Sequence, residues 1–212
     1  MSTTTIAPQL RSRREAGREL PVLVLRLPAA MQAIASAPHG GGLGPRRWVL
    51  NAQVPASYGR RDPDRHLAKL AVSLGLPGRG VGMLTAAAVR SYANITDGGV
   101  DVVATVGLTH PTLAAAPDVP GPVSLVGTIN IVAVLPERLS DAALVNAVAT
   151  ATEAKAQALA ELGLEATGTA TDAVCILCPS QGNGHAFGGP RSVWGARLAR
   201  AVHGAVLAGS GR

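Results

Sequence analysis

VDVVATVGL at Val100–Leu108 and VSLVGTINIVAV at Val123–Val134 are the two stretches that decide the fold class. Each is a strand candidate, and the connection Pro111–Pro122 between them is rich in proline and shows no helical pattern. Consecutive strands without an intervening helix predict an antiparallel pair. We therefore expect an α+β fold, a single layered domain whose mixed, partly antiparallel sheet is covered by helices. A three-layer α/β fold is the alternative.

Further elements flank this pair on both sides. Ser140–Leu162 is the clearest helix, because Ser140 is a good N-cap, the interior is rich in alanine and Gly163 supplies a stop. Strand and helix alternate cleanly only in the last third of the chain, so this helix should cross the sheet. The other predicted elements are strands at Pro21–Leu27, Arg46–Ala52 and Thr171–Cys178, helices at Pro63–Gly75 (capped by Asp62) and Ser192–Leu207, and either a helix or a strand at Val81–Val89.

Length and composition indicate one domain. The chain has 212 residues, of which 47% are hydrophobic, enough for one sizeable core. We expect that domain over residues 19–212, preceded by a flexible basic extension at residues 1–18. No apolar run approaches the roughly 18 residues typical of a membrane-spanning helix, and no apolar signal-peptide segment is present. The sequence thus predicts a cytoplasmic protein with no membrane association.

The net charge of +6 raises the question of an anionic partner. Proteins that bind single-stranded nucleic acid usually add aromatic stacking platforms, but only 2% of this chain is aromatic. We therefore expect no nucleic-acid partner, and the arginine-rich N-terminus leaves that class as an alternative. Cys175 and Cys178 are read as buried core residues rather than half of a metal site, because no second pair completes one. A homo-oligomer is compatible with the sequence.

Small polar side chains interrupt several of the predicted strands. Thr128 and Asn130 share one strand face, as do Asn51 and Gln53, and Thr105 breaks another apolar run. A sheet that brings these groups together would hold a polar pocket on an apolar scaffold, as small-molecule sites do. The alternative is that each satisfies nearby backbone groups.

Lys155 stands on the apolar stripe of the long predicted helix. A lysine there needs a partner or must extend to water, and Asp172, which faces away from Thr171 on its strand, is a suitable partner. If Lys155 is buried, it could take part in proton transfer or stabilise an oxyanion. The segments GTIN at Gly127–Asn130 and GTATD at Gly168–Asp172 place glycine beside threonine, where backbone and hydroxyl can approach a ligand.

Seven short blocks occur in a fixed order along the chain. They are SAPHGGG (Ser36–Gly42), NAQVP (Asn51–Pro55), GMLTAA (Gly82–Ala87), ATVGL (Ala104–Leu108), GTINIVAV (Gly127–Val134), ATEAKAQAL (Ala151–Leu159) and GTATDAV (Gly168–Val174). Together these blocks resemble the adenosylcobinamide amidohydrolase family. The resemblance covers the chain from Ser36 to the final helix and leaves the basic N-terminus outside.

The resemblance implies a reaction. Such enzymes hydrolyse the amide that links aminopropanol to the corrin side chain of adenosylcobinamide, giving adenosylcobyric acid for cobalamin biosynthesis. The cobalt corrinoid is then the substrate, and no cofactor or resident metal is required. The alternatives are a corrinoid-binding protein without hydrolysis and an amide hydrolase with another substrate.

Amide hydrolysis needs an activated nucleophile, an oxyanion stabiliser and an acid for the leaving amine. We assign Asp172 as the base for water, and Lys155 as the group that stabilises negative charge or protonates the amine. Asn130 and Thr128 would donate hydrogen bonds near the carbonyl. Direct attack by a threonine is the rival. The residues expected to bind substrate are Asn51, Gln53, Thr85, Thr105, Gly127, Gly168, Thr169, Thr171, Gly41 and Gly42.

Overall fold

The computed structural model describes residues 7–117 and 127–211. The strands in these ranges are β1 (Gln9–Glu15), β2 (Arg18–Ala35), β3 (Gly42–Gln53), β4 (Val81–Thr85), β5 (Ala93–Asp97), β6 (Val100–Val106), β7 (Pro111–Thr112), β8 (Ile129–Val134), β9 (Gly168–Thr169) and β10 (Ala173–Cys178). The helices are α1 (Pro63–Ser73), α2 (Asp141–Glu161) and α3 (Val193–Gly209).

The principal sheet has the strand order β4-β3-β2-β10-β8-β6-β5, with β1 paired to β2. The pairs β3–β4 and β8–β10 are parallel, and the other pairs of this sheet are antiparallel. The predicted antiparallel pair is confirmed in β6 and β8, where Thr105 stands opposite Asn130. Residues 123–126, the start of the predicted Val123–Val134 strand, lie outside the described residues. The mixed sheet and its helices confirm the α+β class.

The sheet folds over on itself along β2 and β3. The register of this pair shifts between Arg26 and Met31, which bends both strands. One face of β6, β8 and β10 packs against α2 and α3. The opposite face, with Val132 and Cys175, packs against Leu23 of β2 and Met83 of β4 rather than against a helix. Folding over therefore buries an apolar face that would otherwise need a further layer.

Helix α1 covers the outer side of the folded-over part. Leu67 and Ala71 of α1 pack against Val22, Trp48 and Leu50. The layers are thus α1, the β4-β3-β2 part, the β10-β8-β6-β5 part, and finally α2 with α3. This arrangement differs from the three-layer alternative because two parts of one sheet face each other.

The predicted helices and the ambiguous segment have clear outcomes. Ser140 and Ser192 cap α2 and α3 by accepting hydrogen bonds from the backbone N–H groups of Ala143 and Gly195. The ambiguous Val81–Val89 segment is the strand β4 followed by a 3-10 turn that begins at Val89. No helix in the described part of the chain combines the length and apolarity that crossing a membrane requires.

The expectation of a flexible extension over residues 1–18 is corrected for residues 9–15, which form β1 and pair with β2. Three of the arginines that suggested a loose basic tail, Arg11, Arg13 and Arg14, lie on this strand. The Arg13 side chain is 7% exposed and bonds to Glu15, to the carbonyl of Pro21 at 3.1 Å and to that of Gln53 at 2.7 Å. These contacts fasten the N-terminal strand to the end of β3.

Candidate active site

An open cleft of about 690 Å³ lies where β3 and β4 end and β8 and β10 begin. The loop that follows β3, at residues 54–60, forms one wall. The opposite side is formed by residues 83–86, Thr128, Asn130, Thr171 and Ala173. Thr128 and Asn130, two of the polar residues singled out by strand alternation, therefore face this space together with Thr85 and Thr171.

A buried amide network forms the floor. The Asn130 amide nitrogen donates to Asn51 Oδ1 at 2.9 Å and to the Leu84 carbonyl at 2.9 Å. The Asn51 amide nitrogen in turn donates to Thr105 Oγ1 at 2.8 Å. Because both partners of the Asn130 nitrogen are acceptors only at these atoms, the orientation of its amide is fixed.

Asn130 Oδ1 is the unsatisfied atom of this network. The residue is 1% exposed, and Oδ1 has no hydrogen-bond partner among the described residues. A buried acceptor left without a donor is unfavourable by about 1–3 kcal/mol. Since Asn130 lines the cleft, a ligand with an N–H or O–H group can supply the missing donor.

Three hydroxyl groups line the same cleft as Asn130. Thr128 Oγ1 lies 2.6 Å from Thr171 Oγ1, and Thr171 also donates to the Gly127 carbonyl at 3.3 Å. Thr85 Oγ1 accepts a hydrogen bond from the backbone N–H of Ala87 at 3.0 Å, which leaves its own proton free to be donated. The cleft therefore holds a fixed acceptor and three hydroxyl groups, of which Thr85 is the one whose proton has no partner among the described residues.

Lys155 and Asp172 form the predicted ion pair, with side chains 7% and 10% exposed. The pair lies on the helix side of the sheet, because Asp172 faces away from Thr171 along the chain that leads into β10. Asp172 also accepts from the Ile129 N–H at 2.8 Å, from the Thr169 N–H at 3.0 Å and from the Thr169 hydroxyl at 2.5 Å. Neither charged residue lines the large cleft, and Lys155 instead borders a separate cavity of about 530 Å³.

The glycines expected to bind substrate have structural reasons to be glycine. A Cβ at Gly168 would stand 2.4 Å from Asp172 Oδ2 and 2.5 Å from Lys155 Nζ. The carbonyl of Gly127, whose φ is +109°, accepts from Thr169 at 3.0 Å. A Cβ at Gly41 would lie 2.5 Å from the backbone oxygen of Ala37.

Several predicted substrate-binding residues lie outside the lining of the cleft. Asn51 and Thr105 act from behind Asn130, and the Gln53 side chain accepts from the Val89 N–H at 3.0 Å. The Gly41 carbonyl accepts from the buried Arg46 guanidinium at 3.2 Å, and Pro38 is the residue of this loop that lines the cleft. The residues placed outside the lining are Asn51, Gln53, Thr105, Gly127, Gly168, Thr169, Gly41 and Gly42.

One wall carries residues that the strand pattern did not reveal. Tyr58 lines the cleft, its hydroxyl lies 2.9 Å from His66 Nδ1, and His66 Nε2 lies 2.9 Å from Glu15 Oε1. The three come from the 54–60 loop, α1 and β1. Because these residues come from separate parts of the sequence, no local spacing pattern indicates that they meet. The sequence showed only that Tyr58 and His66 lie on either side of the predicted start of a helix.

The cysteines and the remaining side chains that could bind a metal ion form no second site in the described residues. Cys175 and Cys178 are buried free thiols, as predicted, and burial raises the pKa of Cys175 to about 12. Among residues 7–117 and 127–211, no three histidine, cysteine or acidic side chains gather into a group that could hold a metal ion.

Comparison with known proteins points in one direction. The model of the family described as adenosylcobinamide amidohydrolase matches residues 4–212, so the match includes the N-terminal strand that the motif blocks left outside. The chain is 34% identical over 136 residues to the adenosylcobinamide amidohydrolase of Methanosarcina mazei, covering 64% of each protein. It is 40% identical over 119 residues to that of Halobacterium salinarum, covering 52% of this chain and 50% of the relative. Each match spans less than two thirds of the relative's own length.

Proposed function

The chain belongs to the adenosylcobinamide amidohydrolase family, and from this premise we propose that it hydrolyses the amide bond between aminopropanol and the corrin side chain of adenosylcobinamide. The products are adenosylcobyric acid and aminopropanol, and the reaction serves cobinamide salvage. A cleft of about 690 Å³ suits a drug-sized ligand, whereas a corrinoid is larger. The amide-bearing side chain therefore enters the cleft, and the macrocycle stays at its mouth. No cofactor is required, because the corrinoid is the substrate.

The observation that carries the proposal is the unpartnered, buried Oδ1 of Asn130. A secondary amide presents one N–H donor and one carbonyl acceptor. The Asn130 amide nitrogen already donates to Asn51 and Leu84, so in this proposal Asn130 accepts instead of donating near the carbonyl. The amide N–H of the substrate donates to Asn130 Oδ1, which orients the scissile bond. Its carbonyl oxygen then accepts from the Thr85 hydroxyl and from the Thr128 hydroxyl, whose proton turns from Thr171 to the substrate, while Thr171 keeps its bond to the Gly127 carbonyl. Hydroxyls held in place by these bonds stabilise the oxyanion that develops there.

Lys155 and Asp172 receive a positioning role in this proposal instead of the roles of oxyanion stabiliser and base. Four donors already occupy the Asp172 carboxylate, which leaves it poorly placed to accept a proton from water. Its bond to the Ile129 N–H fixes the backbone next to Thr128. The pair thereby holds the hydroxyl side of the cleft from behind.

Direct attack by a threonine is the rival mechanism within this class. Thr85, Thr128 and Thr171 stand in the cleft, but none has a histidine, lysine or carboxylate among its hydrogen-bond partners in the described residues. A hydroxyl nucleophile normally depends on such a base. Attack by water is therefore the mechanism that we propose.

The test is to incubate the purified protein with adenosylcobinamide and to detect both products by mass spectrometry. Thr128→Val removes a hydroxyl without changing size, and we expect kcat to fall about 10²–10³-fold, as for the loss of one oxyanion donor. Thr150→Val is the matched control, because Thr150 on α2 is also buried but donates to the Gly188 carbonyl and does not line the cleft. Absence of both products would overturn the proposal, and corrinoid binding retained without hydrolysis would identify a carrier.

A further inference from the structure

A chain of hydrogen bonds leads from the cleft wall to the N-terminal strand. Tyr58 Oη lies 2.9 Å from His66 Nδ1, and His66 Nε2 lies 2.9 Å from Glu15 Oε1. His66 is 4% exposed, so water does not substitute for either partner. Tyr58 alone of the three lines the cleft.

The partners define where the protons are when the His66 imidazole is neutral. An ionised carboxylate only accepts, so Nε2 of His66 carries a hydrogen and donates it to Glu15. In neutral imidazole the other nitrogen is then an acceptor, and the Tyr58 hydroxyl donates to Nδ1. The lone pairs of the Tyr58 oxygen are consequently turned away from His66 and remain available to a ligand.

Glu15 and Tyr58 are both held in place. Arg13 contacts Glu15 Oε2 through Nε at 3.1 Å and through a terminal nitrogen at 2.9 Å, which fixes the carboxylate. The Tyr58 ring stacks on the His66 ring, with centroids 5.6 Å apart. Burial raises the pKa of Tyr58 above its usual value, with Arg60, Asp62, Glu15 and Arg13 as the neighbouring charges, so the phenol is neutral when the cleft is empty.

We propose that Tyr58 is a further catalytic residue, which passes a proton between the attacking water and His66 while Glu15 stabilises the imidazolium. This role rests on the proposed amide hydrolysis. The water O–H bond breaks as its oxygen bonds to the substrate carbonyl carbon. The proton moves to the Tyr58 oxygen, the original Tyr58 proton moves to His66 Nδ1, and imidazolium forms beside the Glu15 carboxylate.

The return path completes the balance of protons. When the tetrahedral intermediate collapses, the C–N bond breaks and the amine nitrogen takes the Tyr58 proton. Tyr58 then recovers its proton from His66 Nδ1, which restores neutral imidazole. The relay follows the logic of a carboxylate–histidine pair that activates a hydroxyl, except that the phenol conducts a proton rather than attacking carbon.

The kinetic test is Tyr58→Phe, which keeps the ring and its stacking but removes the hydroxyl. We expect kcat with adenosylcobinamide to fall about 10²–10⁴-fold, the range for loss of general acid–base catalysis, while KM stays close to the wild-type value. Glu15→Gln should give a smaller loss of kcat. Tyr92→Phe makes the same change at a tyrosine packed on the apolar core, and Glu161→Gln alters the exposed Glu161–His203 pair. Both controls should retain wild-type turnover.

A spectroscopic test separates the relay from the proposed reaction. Nitrogen-15 NMR of histidine-labelled protein, with His66→Gln to identify the resonance, should show neutral His66 protonated at Nε2. In Tyr58→Phe the Nδ1 resonance should move toward that of a pyridine-type nitrogen without a donor. Protonation at Nδ1 in the wild type, or turnover by Tyr58→Phe within about threefold of wild type, where acid–base catalysis predicts at least a hundredfold loss, would overturn the relay. If the wild-type protein releases no aminopropanol but shows the expected tautomer, the reaction assignment fails and the hydrogen-bonded chain stands.

Discussion

Asp172→Asn distinguishes a structural role of the Lys155–Asp172 pair from a chemical one. The substitution keeps the size of the side chain but leaves the Lys155 ammonium, 7% exposed, without its anion. Removing one partner of a buried ion pair typically destabilises a protein by about 3–5 kcal/mol. We expect the free energy of unfolding to fall by that amount.

Lys155→Met is expected to be milder, for a reason visible in the structure. The Asp172 carboxylate would keep three donors, from the Ile129 N–H, the Thr169 N–H and the Thr169 hydroxyl. Lys155→Met therefore removes only one charged hydrogen bond to this carboxylate, and such a bond contributes about 1.5–3 kcal/mol to stability. The double variant leaves no unpaired charge, so its destabilisation should fall short of the sum of the single variants by about 0.5–3 kcal/mol.

Urea unfolding followed by circular dichroism measures all three losses, with turnover measured on each folded variant. Asp97→Asn is the control, because its partner Arg200 is exposed and the pair should contribute little. Additive destabilisation by the two single variants would refute the coupling. Unchanged unfolding free energy together with abolished turnover in Asp172→Asn would instead restore Asp172 as the base.

Three further substitutions or conditions test other contacts. Gly168→Ala should destabilise the protein and weaken the ion pair, because the added Cβ would lie 2.4 Å from Asp172 Oδ2; urea unfolding of Gly168→Ala in the Lys155→Met background should show a smaller loss. Asn51→Leu should raise KM and lower kcat by freeing the Asn130 amide, and unchanged steady-state kinetics would contradict the network. Burial raises the pKa of Cys175 to about 12, whereas a free thiol titrates near about 8.5. Stability from this group is therefore complete below pH about 8.5 and is lost as the pH rises toward 12; thiol reagents should label native protein at pH 8 only after denaturant is added.

The fold class was predictable where local rules decide it. Short apolar runs, serine caps and a glycine stop located β6, β10, α2 and α3 within a few residues, and β8 at its C-terminal end. The extent of β2 was not predictable, because Pro28 suggested that a strand ends there. The structure carries the strand past Pro28 at the register irregularity between Arg26 and Met31, where a missing N–H breaks no regular pair.

In the candidate site, too, the residues that local patterns indicate were predictable, and those that only long-range contacts bring together were not. Alternation on strands identified Asn130 and Thr128, since a polar residue in an apolar strand must face something. Tyr58, His66 and Glu15 meet only through tertiary structure, and the charges around Glu15 resembled those of a solvated tail. The sequence predicted that Asp172 and Thr171 face opposite sides of the sheet. It did not predict which side holds the cleft, because that depends on how the sheet folds over.

The fold-over of the sheet determines the geometry of the site. Asn51 on β3 and Asn130 on β8 are separated in the strand order by β2 and β10. At about 4.8 Å per strand, a flat sheet would hold them roughly 14 Å apart, yet their side chains are hydrogen bonded at 2.9 Å. An apolar pair could fill the same space, but it would leave the angle between the two parts of the sheet free to vary. The amide network ties that angle to the direction of Asn130 Oδ1, so a substitution that relaxes the fold-over also turns the acceptor away from its ligand.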